Sequence, residues 1–281
     1  RGGTQPTVTD AHVALGRISS QQMSGGVALD VAGARAAIAA LAKGLGETEA
    51  RTATAIIATA DATMARALRR VSVERGVDPR TCTLIAFGGG GPLHACGLAD
   101  LLGVTRIVAP PHAGVLSALG LAITPERREA MVSVVRTLDE WLDRERNEAM
   151  DTVAELAWPR LQNPKPKARS WMVRARYRGQ GHELDIPLTQ RQPKDEIRAA
   201  FEAQHTKRYG FTLAAPVEIV SLRHVAEGVG RTAKFARSGG KGPKRLVGPA
   251  SLALDDATLF VAKGWTARLH DTGAWILTRG A

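Results

Sequence analysis

Four consecutive glycines, Gly88 to Gly91, lie where the sequence pattern predicts that a buried strand ends and a helix begins. The apolar run TLIAF at 83–87 has the length of a short buried strand. Pro92 suits the first turn of a helix, and the pattern stays helical as far as Gly103. Glycine lets the backbone approach a ligand closely, and a helix N-terminus favours negative charge. The run therefore indicates either a nucleotide or anion site or a tight turn between strand and helix.

Two common phosphate-binding signatures do not match this run. The dinucleotide fingerprint G-x-G-x-x-G would need glycine at 93, where the chain has Leu93. The P-loop needs Gly-Lys followed by Ser or Thr, and that sequence is absent. The glycines alone therefore leave both alternatives open.

The first 130 residues have the periodicity of an α/β fold. Helices are predicted at about 31–45 and 47–75. The apolar stripe of the second helix comprises Ala53, Ile56, Ile57, Ala60, Met64, Ala67, Leu68 and Val71. A second buried strand is predicted at 106–110, after the helix that ends at Gly103. A strand, a helix and a strand joined in this way predict a parallel βαβ unit.

The sequence pattern changes near residue 130, from mainly helical periodicity to mainly β-like alternation. We therefore expect two domains, 1–130 and 131–281. An amphipathic helix at about 138–158 is predicted to connect them. From about residue 165, alternating strands and one helix at 193–208 predict a smaller β-rich α+β domain.

Composition excludes several protein classes. The chain has 281 residues, of which 44% are hydrophobic and 23% charged, and no apolar run reaches the roughly 18 residues of a membrane span. Cys82 and Cys96 are too few for a disulfide framework or a zinc site, and we expect both to be buried. These features favour a reduced, cytoplasmic setting and no membrane partner.

The net charge of +11 raises the question of nucleic-acid binding. The segment 231–245 holds six basic residues and no acidic one, but Phe235 is its one aromatic residue for base stacking. Because Gly, Ser and Pro fill the rest of the segment, we favour a solvated loop and expect no nucleic-acid partner.

A set of motifs in a fixed order resembles the hydantoinase A/5-oxoprolinase family, the group that includes the acetone carboxylase β subunit. The motifs cover nearly the whole chain, at 1–18, 64–123, 176–188, 208–211, 216–223 and 248–279. The resemblance implies an actin-like ATPase fold (RNase H-like), of which 1–130 would be the second half. It also implies that Gly88, Gly89, Gly90, Gly91 and Pro92 contact the adenosine of ATP, which would be bound with Mg²⁺.

Members of this family use ATP to open cyclic amides such as hydantoins or 5-oxoproline by phosphorylating the amide oxygen. The resemblance thus implies a small cyclic-amide substrate and a hydantoinase B-type partner subunit. The family's two phosphate-binding motifs lie upstream of RGGT and are absent from this sequence, so we expect the chain alone to be inactive and to need that N-terminal half. The alternative is a non-catalytic binding or assembly module of a hydantoinase-like or acetone carboxylase-like complex.

Two residues are candidates for catalysis by their places in the family motifs. Asp10 could orient a metal-bound water or the substrate, or could simply cap a helix; no metal ligands are assigned. His94 follows the glycines and could touch substrate or phosphate, or could be a hydrogen-bonded structural histidine. The chain departs from the family at His12, usually Asn, and at Gly90, usually Ala.

Overall fold

A computed structural model describes residue 3 and residues 5–18, 29–157, 168–232 and 243–280. It divides the chain into two compact units, one of Arg1–Leu121 with Lys234–Ala281 and one of Ala122–Ala233. The division differs from the expected boundary at residue 130, because strands near residues 265–279 pair with the sheet of the first unit. The second unit is therefore an insertion in the first.

Three helices precede the first strand of unit 1. They are α1 (Val8–Ala14), α2 (Val31–Leu45) and α3 (Glu49–Ser72), followed by a 3-10 turn at Val73–Arg75. The helix predictions are confirmed, and Gly76 ends the segment in the left-handed conformation that glycine favours. The buried residues of α3 are Thr52, Ala53, Ile57, Asp61 and Ala65, whereas Val71 is 60% exposed. The predicted stripe was therefore wrong at its C-terminal end.

The predicted parallel βαβ unit is present. It consists of β1 (Leu84–Ile85), α4 (Gly91–Leu102) and β2 (Arg106–Ala109), and β1 pairs with β2 in parallel. A 3-10 turn (Ala113–Val115) and α5 (Leu116–Ile123) follow. Because both strands run in the same direction, the glycine turn after β1 and the loop after β2 lie at the same edge of the sheet.

Strands from the C-terminal part of the chain complete the sheet of unit 1. The strands are β7 (Arg245–Val247), β8 (Ala250–Ala253), β9 (Thr258–Val261), β10 (Trp265–Leu269) and β11 (Trp275–Arg279). The five-stranded order is β1-β2-β11-β10-β7, and β8 pairs with β9 separately. Ile107, Trp265 and Leu277 are buried between this sheet and α4. Pairing between β2 and β11 thus builds the core of the unit.

Unit 2 is a four-stranded antiparallel sheet with two helices. Its elements are β3 (Arg127–Thr137), α6 (Asp143–Ala157), β4 (Ala168–Tyr177), β5 (Leu184–Leu188), α7 (Lys194–Tyr209) and β6 (Val217–Glu227), with strand order β3-β6-β4-β5. The helix expected to be a connector is α6, which packs on this sheet through the buried Met150 and Val153. It is part of the core of unit 2.

Three further sequence expectations concern the basic segment, the two cysteines and a membrane span. Most of the basic segment 231–245, from 233 to 242, lies outside the described residues. Cys96 is buried as expected, but Cys82 is exposed, because it follows a short 3-10 turn at Pro79–Thr81. Among the residues that the structure describes, none of the helices is both long enough and apolar enough to cross a bilayer.

Candidate functional site

The glycine turn is closed by two backbone hydrogen bonds. Gly88 has a φ of +86°, a conformation in which a side chain would be strained. Its N–H donates to the carbonyl of Ala113 at 2.7 Å, and the Gly91 N–H donates to the carbonyl of Gly88 at 3.1 Å. The turn is thereby tied to the loop that follows β2.

The next two glycines have no such conformational requirement. A Cβ added to Gly89 or Gly90 would meet no atom within 4 Å. Both residues are exposed, and within the described part of the chain nothing accepts a hydrogen bond from their N–H groups. A Cβ on Gly91 would make only an ordinary contact with Ala86, and Pro92 is buried in the first turn of α4. The turn therefore offers open space and free donors, which suits a nucleotide lying against it.

His94, two residues further on, joins a chain of three polar side chains. Its Nδ1 lies 2.6 Å from Oδ1 of Asp61, and its Nε2 lies 3.3 Å from Nε2 of His12. The side chains of His94 and Asp61 are each 11% exposed, and His12 is fully buried. Both ring nitrogens of His94 are thus occupied.

Three helices bring these side chains together. His12 comes from the last turn of α1, Asp61 from the buried face of α3, and His94 from the first turn of α4. The helices α3 and α4 approach closely at Gly97, where a Cβ would collide with the carboxylate of Asp61. Gly97 is therefore needed for Asp61 to reach His94.

Burial keeps His12 neutral. Desolvation, together with the nearby His94 and Arg17, lowers the pKa of His12 to about 3. Burial also lowers the pKa of Arg17, an effect that the carboxylate of Asp61 opposes. The guanidinium of Arg17 lies 4.2 Å from the centre of the Phe260 ring, a cation–π contact. The cluster consequently contains one fixed cation, one carboxylate and two imidazoles.

Asp10 lies in a capping box at the start of α1. Its Oδ2 accepts hydrogen bonds from the backbone N–H of Thr7 at 2.7 Å and from the Thr7 hydroxyl at 2.8 Å, while its own N–H donates to Thr7 Oγ1. The structure thus gives Asp10 a capping role, and a catalytic role for it remains a prediction.

An apolar groove adjoins His94. Its volume is about 770 Å³, and α1, α2 and α3 contribute most of its walls. The hydroxyl of Thr52, which also lines the groove, is buried without a hydrogen-bond partner among the described residues. In the same described ranges, no three His, Cys, Asp or Glu side chains are grouped so that they could hold a metal ion.

Residues 1–129, which contain the glycine turn and the His12–His94–Asp61 cluster, match the Hydantoinase/oxoprolinase family. The chain belongs to this family. Among its relatives in the hydantoinase/oxoprolinase family, the caprolactamase subunit alpha of Pseudomonas jessenii is 31% identical over 79% of this chain and 34% of that protein. The chain thus spans about a third of the length of that relative.

Two solved structures share the fold of this family member. The crystal structure of the ATP-dependent caprolactamase from Pseudomonas jessenii is 26% identical, with a TM-score of 0.71 over 100% of this chain and 48% of that one. The nucleotide-free structure of acetone carboxylase is 20% identical, with a TM-score of 0.78 over 99% of this chain and 47% of that one. The mixed α/β architecture expected from the sequence is confirmed.

Sequence reasoning missed Asp61 and Arg17 as parts of the site of this hydantoinase/oxoprolinase family member. A signal for Asp61 was present, because it is four residues from both Ile57 and Ala65 on the buried face of α3. A carboxylate at such a position needs a partner. Arg17 gave no periodic signal, since it follows α1 in a loop.

Proposed function

We propose that this chain is part of an ATP-dependent enzyme that hydrolyses a small cyclic amide. Similarity to the caprolactamase subunit alpha over 79% of the chain carries the proposal. This similarity extends the proposed substrate class from hydantoins and 5-oxoproline to lactams such as caprolactam. The apolar walls of the groove beside His94 suit a lactam ring, whose carbons are mostly apolar.

The glycine turn is proposed as the contact for the adenosine of ATP. Open space at Gly89 and Gly90 and their free N–H groups support this placement. Within this proposal, unit 1 is the second half of an actin-like ATPase fold. The described residues supply no metal cluster, so we assign no Mg²⁺ ligand to them.

Bound ATP would supply the phosphoryl group that activates the amide oxygen. The residues of this chain would orient the nucleotide at the turn and hold a proton near the substrate. His94 is the candidate for the second task, because it lines the groove and has a carboxylate on Nδ1. Since its Nε2 contacts His12, it would exchange its proton by way of that residue. The phosphate-binding half and a B-type partner subunit complete the proposed enzyme, and the name of the caprolactamase subunit supports a multi-subunit assembly.

The test is phosphate release that depends on both ATP and substrate. We expect it from the full-length protein with its partner subunit, for at least one of hydantoin, 5-oxoproline and caprolactam. Absence of release with all three would refute the proposal for these substrates.

A pair of variants tests the role of the turn. Gly89→Leu places a side chain in the proposed adenosine space, where its Cβ would meet no atom of the chain within 4 Å, so KM for ATP should rise at least about tenfold. Gly90→Ala introduces the residue usual in the family and should leave KM within about twofold. Equal effects of the two substitutions would contradict an adenosine contact at Gly89.

The second candidate function is a non-catalytic assembly module. The capping box that holds the side chain of Asp10, one of the two catalytic candidates, favours it. It predicts a stable complex with the partner subunit on gel filtration and no turnover even with the upstream half. Turnover by the complete assembly would exclude it.

A further inference from the structure

We propose that Asp61, His94 and His12 form a proton relay in which a proton enters at Nδ1 of His12 and comes to rest on His94. The proposal deepens the proposed function and rests on it for its catalytic consequence. Its geometric basis is the 2.6 Å contact between Asp61 and His94 and the 3.3 Å contact between the two imidazoles.

The positions of the hydrogens follow from which atoms can donate. A carboxylate oxygen only accepts, so the hydrogen between Asp61 and His94 is on Nδ1 of His94. In neutral His94, Nε2 then carries the lone pair, and the 3.3 Å contact requires Nε2–H of His12 as its donor. His12 therefore has its own lone pair on Nδ1.

That lone pair is the open end of the chain of hydrogen bonds. Nδ1 of His12 is buried and has no hydrogen-bond partner among the described residues. A buried nitrogen of this kind is normally satisfied by a bound water, which could also deliver or remove a proton.

The transfer is balanced in atoms and charge. Nδ1 of His12 accepts a proton that solvent has delivered to this water, so the water ends neutral, and Nε2 of His12 passes its own proton to Nε2 of His94. His12 ends neutral, with its hydrogen on Nδ1, and His94 ends as an imidazolium that donates to Asp61 and to His12. The reverse sequence returns the proton to the water.

The surrounding charges favour the rest position on His94. Arg17 opposes a positive charge on His12, whose pKa burial also lowers, whereas the carboxylate of Asp61 directly contacts His94. Among the described residues, the thiol of Cys96 also lies near Arg17, and burial raises the pKa of this thiol to about 11, so it stays neutral. Asp61 is a positioning residue in this scheme. The absence of a side chain at Gly97 leaves room for its carboxylate.

The relay gives a spectroscopic signature that a purely structural cluster lacks. In the full-length protein with its partner subunits, ¹⁵N-histidine labelling and magic-angle-spinning NMR report which ring nitrogen is protonated. A proton that enters the relay places a hydrogen on Nε2 of His94 and moves the hydrogen of His12 from Nε2 to Nδ1, so spectra recorded over a pH series should show both changes together while His12 stays neutral. His94→Gln and His12→Asn identify the two sets of signals.

The rate of ATP-dependent phosphate release in variants tests whether the relay contributes to catalysis. Asp61→Asn keeps the shape of the side chain but removes the carboxylate, so kcat for ATP-dependent phosphate release should fall about 100-fold with KM little changed. His12→Asn introduces the residue usual in the family and removes both basic ring nitrogens, so kcat should fall about tenfold. His270→Asn, an exposed histidine at the turn between β10 and β11, is the control and should leave kcat unchanged.

The two measurements separate the two proposals. A His12 that keeps its hydrogen on Nε2 throughout the titration, or a His94 without a hydrogen on Nδ1, overturns the relay whether or not the enzyme turns over. An unchanged kcat in His12→Asn overturns its catalytic role. Failure of the wild type to release phosphate with any substrate refutes the proposed function, and the NMR titration still decides on the relay.

Discussion

The close approach of α3 to α4 predicts that a single methyl group added at Gly97 destabilises the protein. Replacing Gly97 with alanine adds a Cβ that collides with the carboxylate of Asp61. The carboxylate must move, and its 2.6 Å hydrogen bond to His94 is lost. Gly44, in α2, provides the matched control, because a Cβ added there would meet no atom within 4 Å.

The expected change in the free energy of unfolding is the sum of three contributions. Alanine in place of a helical glycine stabilises either helix by roughly 1 kcal/mol. At Gly97 the lost charge-assisted hydrogen bond costs about 2 kcal/mol. Overpacking there costs a further 1–3 kcal/mol or so, on the order of other small-to-large core changes. Gly97→Ala should therefore destabilise the protein by about 2–4 kcal/mol, whereas Gly44→Ala should stabilise it by up to about 1 kcal/mol.

Hydrogen–deuterium exchange of peptides from α3 and α4 measures this difference locally. A loss of about 2 kcal/mol speeds exchange through local opening more than tenfold. Asp61→Ala in the Gly97→Ala background removes the clash, so the double variant should lose less stability than the sum of the two single changes. Equal exchange in Gly97→Ala and Gly44→Ala, or strict additivity in the double variant, would refute the reasoning.

Three further predictions concern stability. Tyr177→Phe removes a buried hydroxyl that has no partner among the described residues, so the free energy of unfolding should stay unchanged or rise by about 1 kcal/mol in urea titrations. Asp100→Ala leaves the buried indole N–H of Trp265 without its acceptor and should cost about 1–3 kcal/mol in the same assay. The pKa of His12 is about 3 in the folded protein and 6.5 ordinarily, so unfolded chains bind more protons between these values. Thermal unfolding should show stability falling as pH drops through this window, by up to about 1.4 kcal/mol per pH unit, and His12→Asn should reduce the dependence.

Local patterns predicted the local structure of unit 1 well. The helical periodicity of α2 and the strand–helix–strand pattern around the glycines depend on neighbours in sequence, and both are present in the structure. The alternative of a capping role for Asp10 could also be stated from sequence, because a capping box needs only residues three apart.

Non-local pairing was beyond sequence reasoning. Ile107 of β2 pairs with Leu277 of β11, and no periodicity in either strand specifies the other as its partner. The residues after 243 were therefore assigned to the second domain although they belong to the first unit. The cluster at His94 was missed for the same reason, since its members come from three helices.

The insertion of unit 2 has a consequence for the order of events on the ribosome. Every strand of the sheet in unit 2 has been synthesised once Glu227 has been made, whereas β2 of unit 1 must wait for β11 at Trp275–Arg279. We therefore expect the nascent chain to fold its middle first, with β1 and β2 exposed until translation of this region is finished. A ribosome-stalled chain ending near residue 272, just before β11, should protect peptides of β4 and β6 from protease and leave β2 open to cleavage.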